Sequence, residues 1–191
     1  MSRTKVSICN EALVTLGEKL ISSLEDTTKA AGLCEELFDA SLDEVLRMSE
    51  WNCAIARQSL TELEDAPAFE WDHQYSLPSE PYCIMALEIN EDRHYRFAIE
   101  GRVLLTNEDS VNLRYIKRVT DMTEFDPLCA RAVALNLAYK LAYPLMQSRK
   151  MKELIYSELQ EILSIGGIAS RREDSQRAET EQQFDWLTSR I

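Results

Sequence analysis

The hydrophobic period of this chain changes at Trp51 and changes back at Asp126, and that double switch limits the possible folds most strongly. Before Trp51, apolar residues recur at helical spacing: Val6, Cys9, Leu13 and Leu16, then Cys34, Leu37, Phe38, Ser41, Val45 and Met48. The pattern predicts helices over 4–17 and 27–52, with Gly17 as the residue past the first helix and Asp26 or Thr27 capping the second. Glu35, Asp39 and Asp43 stand at i, i+4 and i+8, off the apolar stripe on one polar face.

From residue 55 to 119 the period shortens. The segment "IARQSLTEL" alternates, and "YCIMALEI", "HYRFAIE", "RVLLT" and "VNLRYIK" are short runs rich in β-branched and aromatic residues. Glu100-Gly101 sits at tight-hairpin spacing and "TNEDS" is a second turn, so an antiparallel meander is expected. Asp126-Pro127 then restarts helix as an N-cap followed by proline at the first helical position. Helices fill 126–165, with a kink or stop expected at Pro144 and a stop or loosening at Gly166-Gly167. The fold class is α+β: a bundle of about four helices with an inserted antiparallel β-sheet and an extended C-terminal tail. Residues 1–170 read as one α+β domain and 171–191 as an interaction tail, polar up to the closing "FDWLTSRI".

Charge narrows the partners. The 191 residues carry 21 basic and 33 acidic side chains, a net −12. Residues 1–70 contribute −8 and 71–128 contribute −5, whereas 129–170 carry +2. A broad grip on a phosphate backbone needs clustered Lys and Arg, which this balance does not provide. The one small basic-aromatic stretch is "RYIKRV", with Arg114, Lys117 and Arg118 around Tyr115; pairing with the acidic helices, in the same or a neighbouring subunit, suits it better than nucleic acid. No run of 18 apolar residues is present, so no membrane partner is expected. Five widely spaced cysteines without a CxxC pair point to buried, reduced thiols in a cytosolic setting.

A search for chemistry returns little. His73 and His94 lie 21 residues apart with no HxxxH or clustered Cys/His spacing, so no metal site is expected. The phosphate-binding, dinucleotide-binding and nucleophile-elbow glycine patterns are absent, and no cofactor is expected. The Glu35, Asp39 and Asp43 run reads as a solvated helix face rather than a paired acid–base site. No catalytic residue emerges.

In order along the chain, "ICNEALVTLGE", "SLEDTTKAAGLCEELFD", "EWNCAIA", "QYSLP", "EGRVLLTN", "LRYIKRVTD" and "LAYKLAYPLMQS" make up a set that resembles the tail tubular protein A family of short-tailed bacteriophages. The similarity runs from about residue 6 to about residue 165, seven elements in order. Where the family pattern has Pro before and Phe after Trp-Asn, this chain has Glu50 and Cys53. The resemblance implies a structural head-to-tail adaptor of the virion neck, assembled in the bacterial cytoplasm and without enzymatic activity. Its implied partners are the portal protein, a nozzle resembling tail tubular protein B, and other copies of itself in a ring that is generally dodecameric. DNA would pass through the ring without specific binding. Within that frame Phe184, Trp186, Leu187 and Ile191 are the expected portal contacts, and Arg114, Lys117 and Arg118 the expected partners of Glu35, Asp39 and Asp43 between subunits. The alternatives from other classes are a small cytosolic α+β enzyme or regulatory module, and a soluble oligomer with a peptide-binding tail. An enzyme predicts a monomer or small oligomer with a filled pocket; an adaptor predicts a wide ring or binding to portal rings.

Overall fold

The computed structural model describes residues 3–92 and 94–174; Phe184, Trp186, Leu187, Ile191 and the expected interaction tail around them lie outside the described residues. The chain divides into two compact units, one of Arg3–Asn52 together with the chain from Asp126 onward, the other of Cys53–Phe125. The class is α+β, and the switches in hydrophobic period fall at the borders of the two units.

The helical unit contains α1 (Lys5–Leu16), α2 (Lys29–Met48), α3 (Pro127–Met146) and α4 (Arg149–Asp174). Its centre is α3, which packs against each of the other three. Eleven of its residues are buried, six of them alanines or the small Cys129, and small side chains let neighbouring backbones approach closely. Asp126 caps α3 with Oδ1, which accepts the Leu128 N–H at 2.8 Å, and Pro127 occupies the first turn as expected. Gly17 ends α1 in the left-handed region at φ 73°, also as expected, its N–H donating to the carbonyls of Leu13 and Val14.

Several boundaries differ from the sequence expectation. Thr28, not Asp26 or Thr27, caps α2, accepting the Ala31 N–H at 3.2 Å; Asp26 instead receives the N–H groups of Ser22 and Ser23 in the preceding loop. This helix stops at Met48 rather than 52, because Ser49 is extended and a 3₁₀ turn follows over Asn52–Ala54. Its buried stripe is Ala31, Cys34, Phe38, Ser41, Leu42, Val45 and Leu46, while Met48 is exposed. Pro144 neither breaks nor ends α3; it sits in the last turn, where the helix closes two residues later with Gln147 left-handed at φ 51°. In α4, Gly166-Gly167 do not end the helix, which runs through both to Asp174.

The cause lies at Trp51. A Cβ placed on Gly166 would come within 2.6 Å of the Trp51 ring carbons Cη2 and Cζ3, closer than van der Waals contact permits. Trp51 itself is 1% exposed, and its indole N–H donates to the Val45 carbonyl at 3.0 Å. Asn52 Nδ2 donates to the Ser170 carbonyl at 3.2 Å. The glycine is thus a seat for the indole, and burial of that ring sustains a helix that glycine alone would weaken by about 1 kcal/mol.

The β unit holds two antiparallel three-stranded sheets, not one meander. The strands are β1 (Ile55–Ser59), β2 (His73–Ser76), β3 (Cys83–Ile89), β4 (Phe97–Glu100), β5 (Val103–Thr106) and β6 (Asn112–Lys117). They are ordered β1-β6-β3 and β2-β5-β4. Only β4 and β5 form the expected hairpin, closed by Gly101-Arg102 with Gly101 at φ 60°, where a side chain would be strained. The turn "TNEDS" carries the chain from one sheet to the other, so β6 leaves β5 and pairs between β1 and β3. Tyr75 and Leu104 from one sheet meet Cys83, Ile89, Leu113 and Tyr115 from the other in a single apolar cluster. Alternation places every second residue of β6 in that cluster, which fixes its register.

Candidate functional site

The two sets of charged residues singled out in the sequence have different environments. On α2, Glu35 and Glu36 are exposed and form no ion pair with a described residue. Asp39 is exposed and meets Lys5 Nζ at 2.8 Å, and Asp43 is half-buried. Glu44, the next residue, is exposed but its carboxylate is held by α3. Burial pushes its carboxyl up, but hydrogen bonds from Asn136 at 2.9 Å and Lys140 at 2.9 Å more than offset this and hold it below the usual range.

The basic stretch of β6 splits. Arg114 is 5% exposed and faces Glu88, itself 7% exposed, with 3.6 Å between Nη1 and Oε1. The register explains this: Glu88 of β3 and Arg57 of β1 stand opposite Arg114 on the two flanking strands. Arg57, Glu88, Glu91, Asn112 and Arg114 line a small charged hollow of about 260 Å³. Lys117 is half-buried and pairs with Glu124 at 3.1 Å, and Arg118 is half-buried. Arg114 is therefore an internal ion-pair member of its own sheet, and the exposed cationic surface lies elsewhere.

That surface is a groove on the helical unit. Tyr139 and Tyr143, at i and i+4 of α3, face Arg149, Lys152, Glu153 and Tyr156, at i, i+3, i+4 and i+7 of α4. The helices are joined through only Gln147 and Ser148; Gln147 turns left-handed and Ser148 Oγ accepts the Met151 N–H at 3.2 Å. This tight joint places the two faces side by side around a concavity of about 500 Å³. The Tyr139 and Tyr156 rings lie 5.6 Å apart at 44°, and Lys152 Nζ stands 4.4 Å from the Tyr139 ring centre. Tyr143 and Tyr156 are 54% and 50% exposed. Arg149 and Lys150 are exposed and form no ion pair with a described residue. By contrast, the two cations of α3 are occupied: Arg131 bridges Glu11 of α1 and Glu158 of α4, and Lys140 holds Glu44.

Sequence inspection missed this groove because α3 looks like a uniformly apolar buried helix. The available signal was the pair of tyrosines four apart in "AYKLAYP", followed by cations and Tyr156 at helical spacing.

The remaining candidates have structural surroundings. His73 Nδ1 lies 2.6 Å from Glu62 and Nε2 lies 3.2 Å from Asp109. The Glu62 hydrogen bond, aided by the charges of Glu62, Asp109 and Asp72, raises its pKa above the ordinary imidazole value against a smaller effect of burial. His94 meets Asp92 at 2.6 Å on an exposed turn. All five cysteines are free thiols, four of them buried. Cys9 is pushed well up by its hydrogen bond with Cys34 and by burial. Among the described residues no group of three or more His, Cys, Asp or Glu could hold a metal ion, and no helix is long and apolar enough to cross a membrane. Arg102, unremarked in the sequence, donates to the carbonyls of Cys83 at 2.9 Å and Pro78, and its guanidinium lies 4.1 Å from the Tyr82 ring centre.

The exposed groups of the helical unit include tyrosine faces, cations without an ion pair to a described residue, and a carboxylate face on α2. No protein-family model matches the chain, and no curated protein matches it significantly.

Proposed function

We propose that the chain is a head-to-tail adaptor of a short-tailed bacteriophage, one subunit of a ring between the portal vertex and the tail nozzle. The observation that carries this reading is the ordered set of seven sequence elements, from "ICNEALVTLGE" to "LAYKLAYPLMQS". The α+β organisation, with helices before and after the β segment along the sequence, agrees with the fold that resemblance implies.

The work of such a subunit is assembly and conduit. A closed ring uses heterologous interfaces, in which one surface of a subunit complements a different surface of the next. A net charge of −12 keeps a passing duplex from adhering, because phosphates are repelled wherever carboxylates dominate a lumen. At the C-terminus Phe184, Trp186, Leu187 and Ile191 supply the apolar side chains for docking on the portal, since buried aromatics dominate interface energy.

Negative-stain imaging of the chain mixed with portal rings tests the reading. Added density at one end of the portal is the expected result, and portals that remain bare overturn it. Deleting residues 179–191 should weaken docking about tenfold or more while the circular dichroism of the subunit stays the same. Undiminished docking removes the tail from the interface.

A further inference from the structure

We propose that the groove between α3 and α4 is one half of a self-interface, and that the other half is the acidic face of α2 on a second copy of this chain. The inference rests on the ring reading, since it names one of that ring's subunit contacts.

The groove is equipped to bind a carboxylate-bearing helix. Its aromatic walls are Tyr139, Tyr143 and Tyr156, and tyrosine and arginine are enriched among the residues that carry interface energy. Arg149 and Lys150 are exposed with no ion pair to a described residue, and Lys152 is engaged only with the face of Tyr139. Arg149 and Lys152 line the groove, Lys150 adjoins Arg149 in sequence, and the groove holds one carboxylate, Glu153.

The complementary surface is on α2. Glu35 and Glu36 are the exposed carboxylates of that helix without an ion pair to a described residue, and Asp39 adds a third beside Lys5. Gly32 and Ala40 stand four residues before and after Glu36, on the same face and exposed. A Cβ added at Gly32 would meet nothing within 4 Å. This face is therefore acidic at its centre and small on both flanks, which leaves room for bulky rings to close over the helix. In one chain these carboxylates form no ion pair with Arg149 or Lys150, although α2 and α4 both pack on α3. Two unsatisfied, opposite surfaces on one body that do not meet within that body define a head-to-tail contact between copies.

A nucleic acid is the competing occupant, because bases stack on tyrosines beside cations. Glu153 in the groove and the chain's net −12 disfavour it.

Charge reversal on the full chain tests the pairing by sedimentation at the highest soluble concentration. R149E/K152E and E35K/E36K should each weaken self-association about tenfold or more, and an equimolar mixture of the two should restore it, because the reversed surfaces fit each other. A mixture that remains dissociated overturns the pairing, as does a wild-type chain that stays monomeric. Self-association unchanged in both variants overturns the groove's role and leaves the ring reading standing; portals left bare by the wild-type chain defeat the ring reading instead. A fluorescent single-stranded oligonucleotide that binds wild type and not R149E/K152E assigns the groove to nucleic acid and overturns the inference.

Discussion

The helical and β units solve the problem of a charged, acidic chain in opposite ways. The helical unit keeps its ion pairs at the margins: Arg131 with Glu11 and Glu158, Lys140 with Glu44 and Lys5 with Asp39 all retain solvent access, and its centre is filled by the apolar α3. The β unit takes an ion pair inside, where Arg114 and Glu88 are both almost fully buried. The contrast shows where each unit is fragile. Marginal pairs are worth at most about 1 kcal/mol each, so the helical unit depends on packing. A buried pair adds little net stability when whole but costs several kcal/mol when one partner is removed.

The largest break should come at Trp51. Trp51→Ala removes the indole from its seat on Gly166 and the hydrogen bond to Val45, at a cost of about 3–5 kcal/mol. Hydrogen exchange should show the loss of protection centred on α4; a loss confined to the β unit would show that the ring does not hold the helix. Next, Glu88→Ala leaves the Arg114 guanidinium buried beside an empty place and should cost about 3 kcal/mol in a denaturation midpoint, with Glu88→Gln costing less. Equal effects of the two substitutions would mean that side-chain volume, rather than charge, matters at this site.

The smallest effect is electrostatic and belongs to His73. Its folded pKa is raised, so its contribution is fully present below the unfolded value of about 6.5 and disappears as pH rises through the folded value. His73→Gln should therefore flatten the stability profile of the β unit between mildly acidic and mildly alkaline pH. A slope that survives the substitution assigns it to other groups.

Legibility followed the range of the interactions. Most caps and turns whose partners lie within four residues were readable: Gly17 after α1, Asp126-Pro127 before α3 and Gly101 in the β4–β5 hairpin all act as their local chemistry requires, whereas the cap of α2 falls at Thr28 because Asp26 is taken up by the preceding loop. Failures came where a distant residue decides. Strand β2 is short, with His73 and Gln74 at its start, and it is held as a strand by pairing with β5 thirty residues away. The groove was hidden for the same reason, since Tyr139 and Tyr156 become neighbours only when α3 and α4 fold back on each other.

Hydrophobic period alone determined that this chain is helix, then sheet, then helix, because side-chain direction follows the residue count along each element. It also determined that Glu35 and Asp39 face outward. Tertiary structure alone decided that β6 leaves its hairpin neighbour to lie between β1 and β3, that Arg114 is internal, and that α4 continues through Gly166-Gly167. Each of those outcomes turns on burial against a partner remote in sequence, and the free energy of that burial exceeds the local preference of about 1 kcal/mol that the residues express on their own.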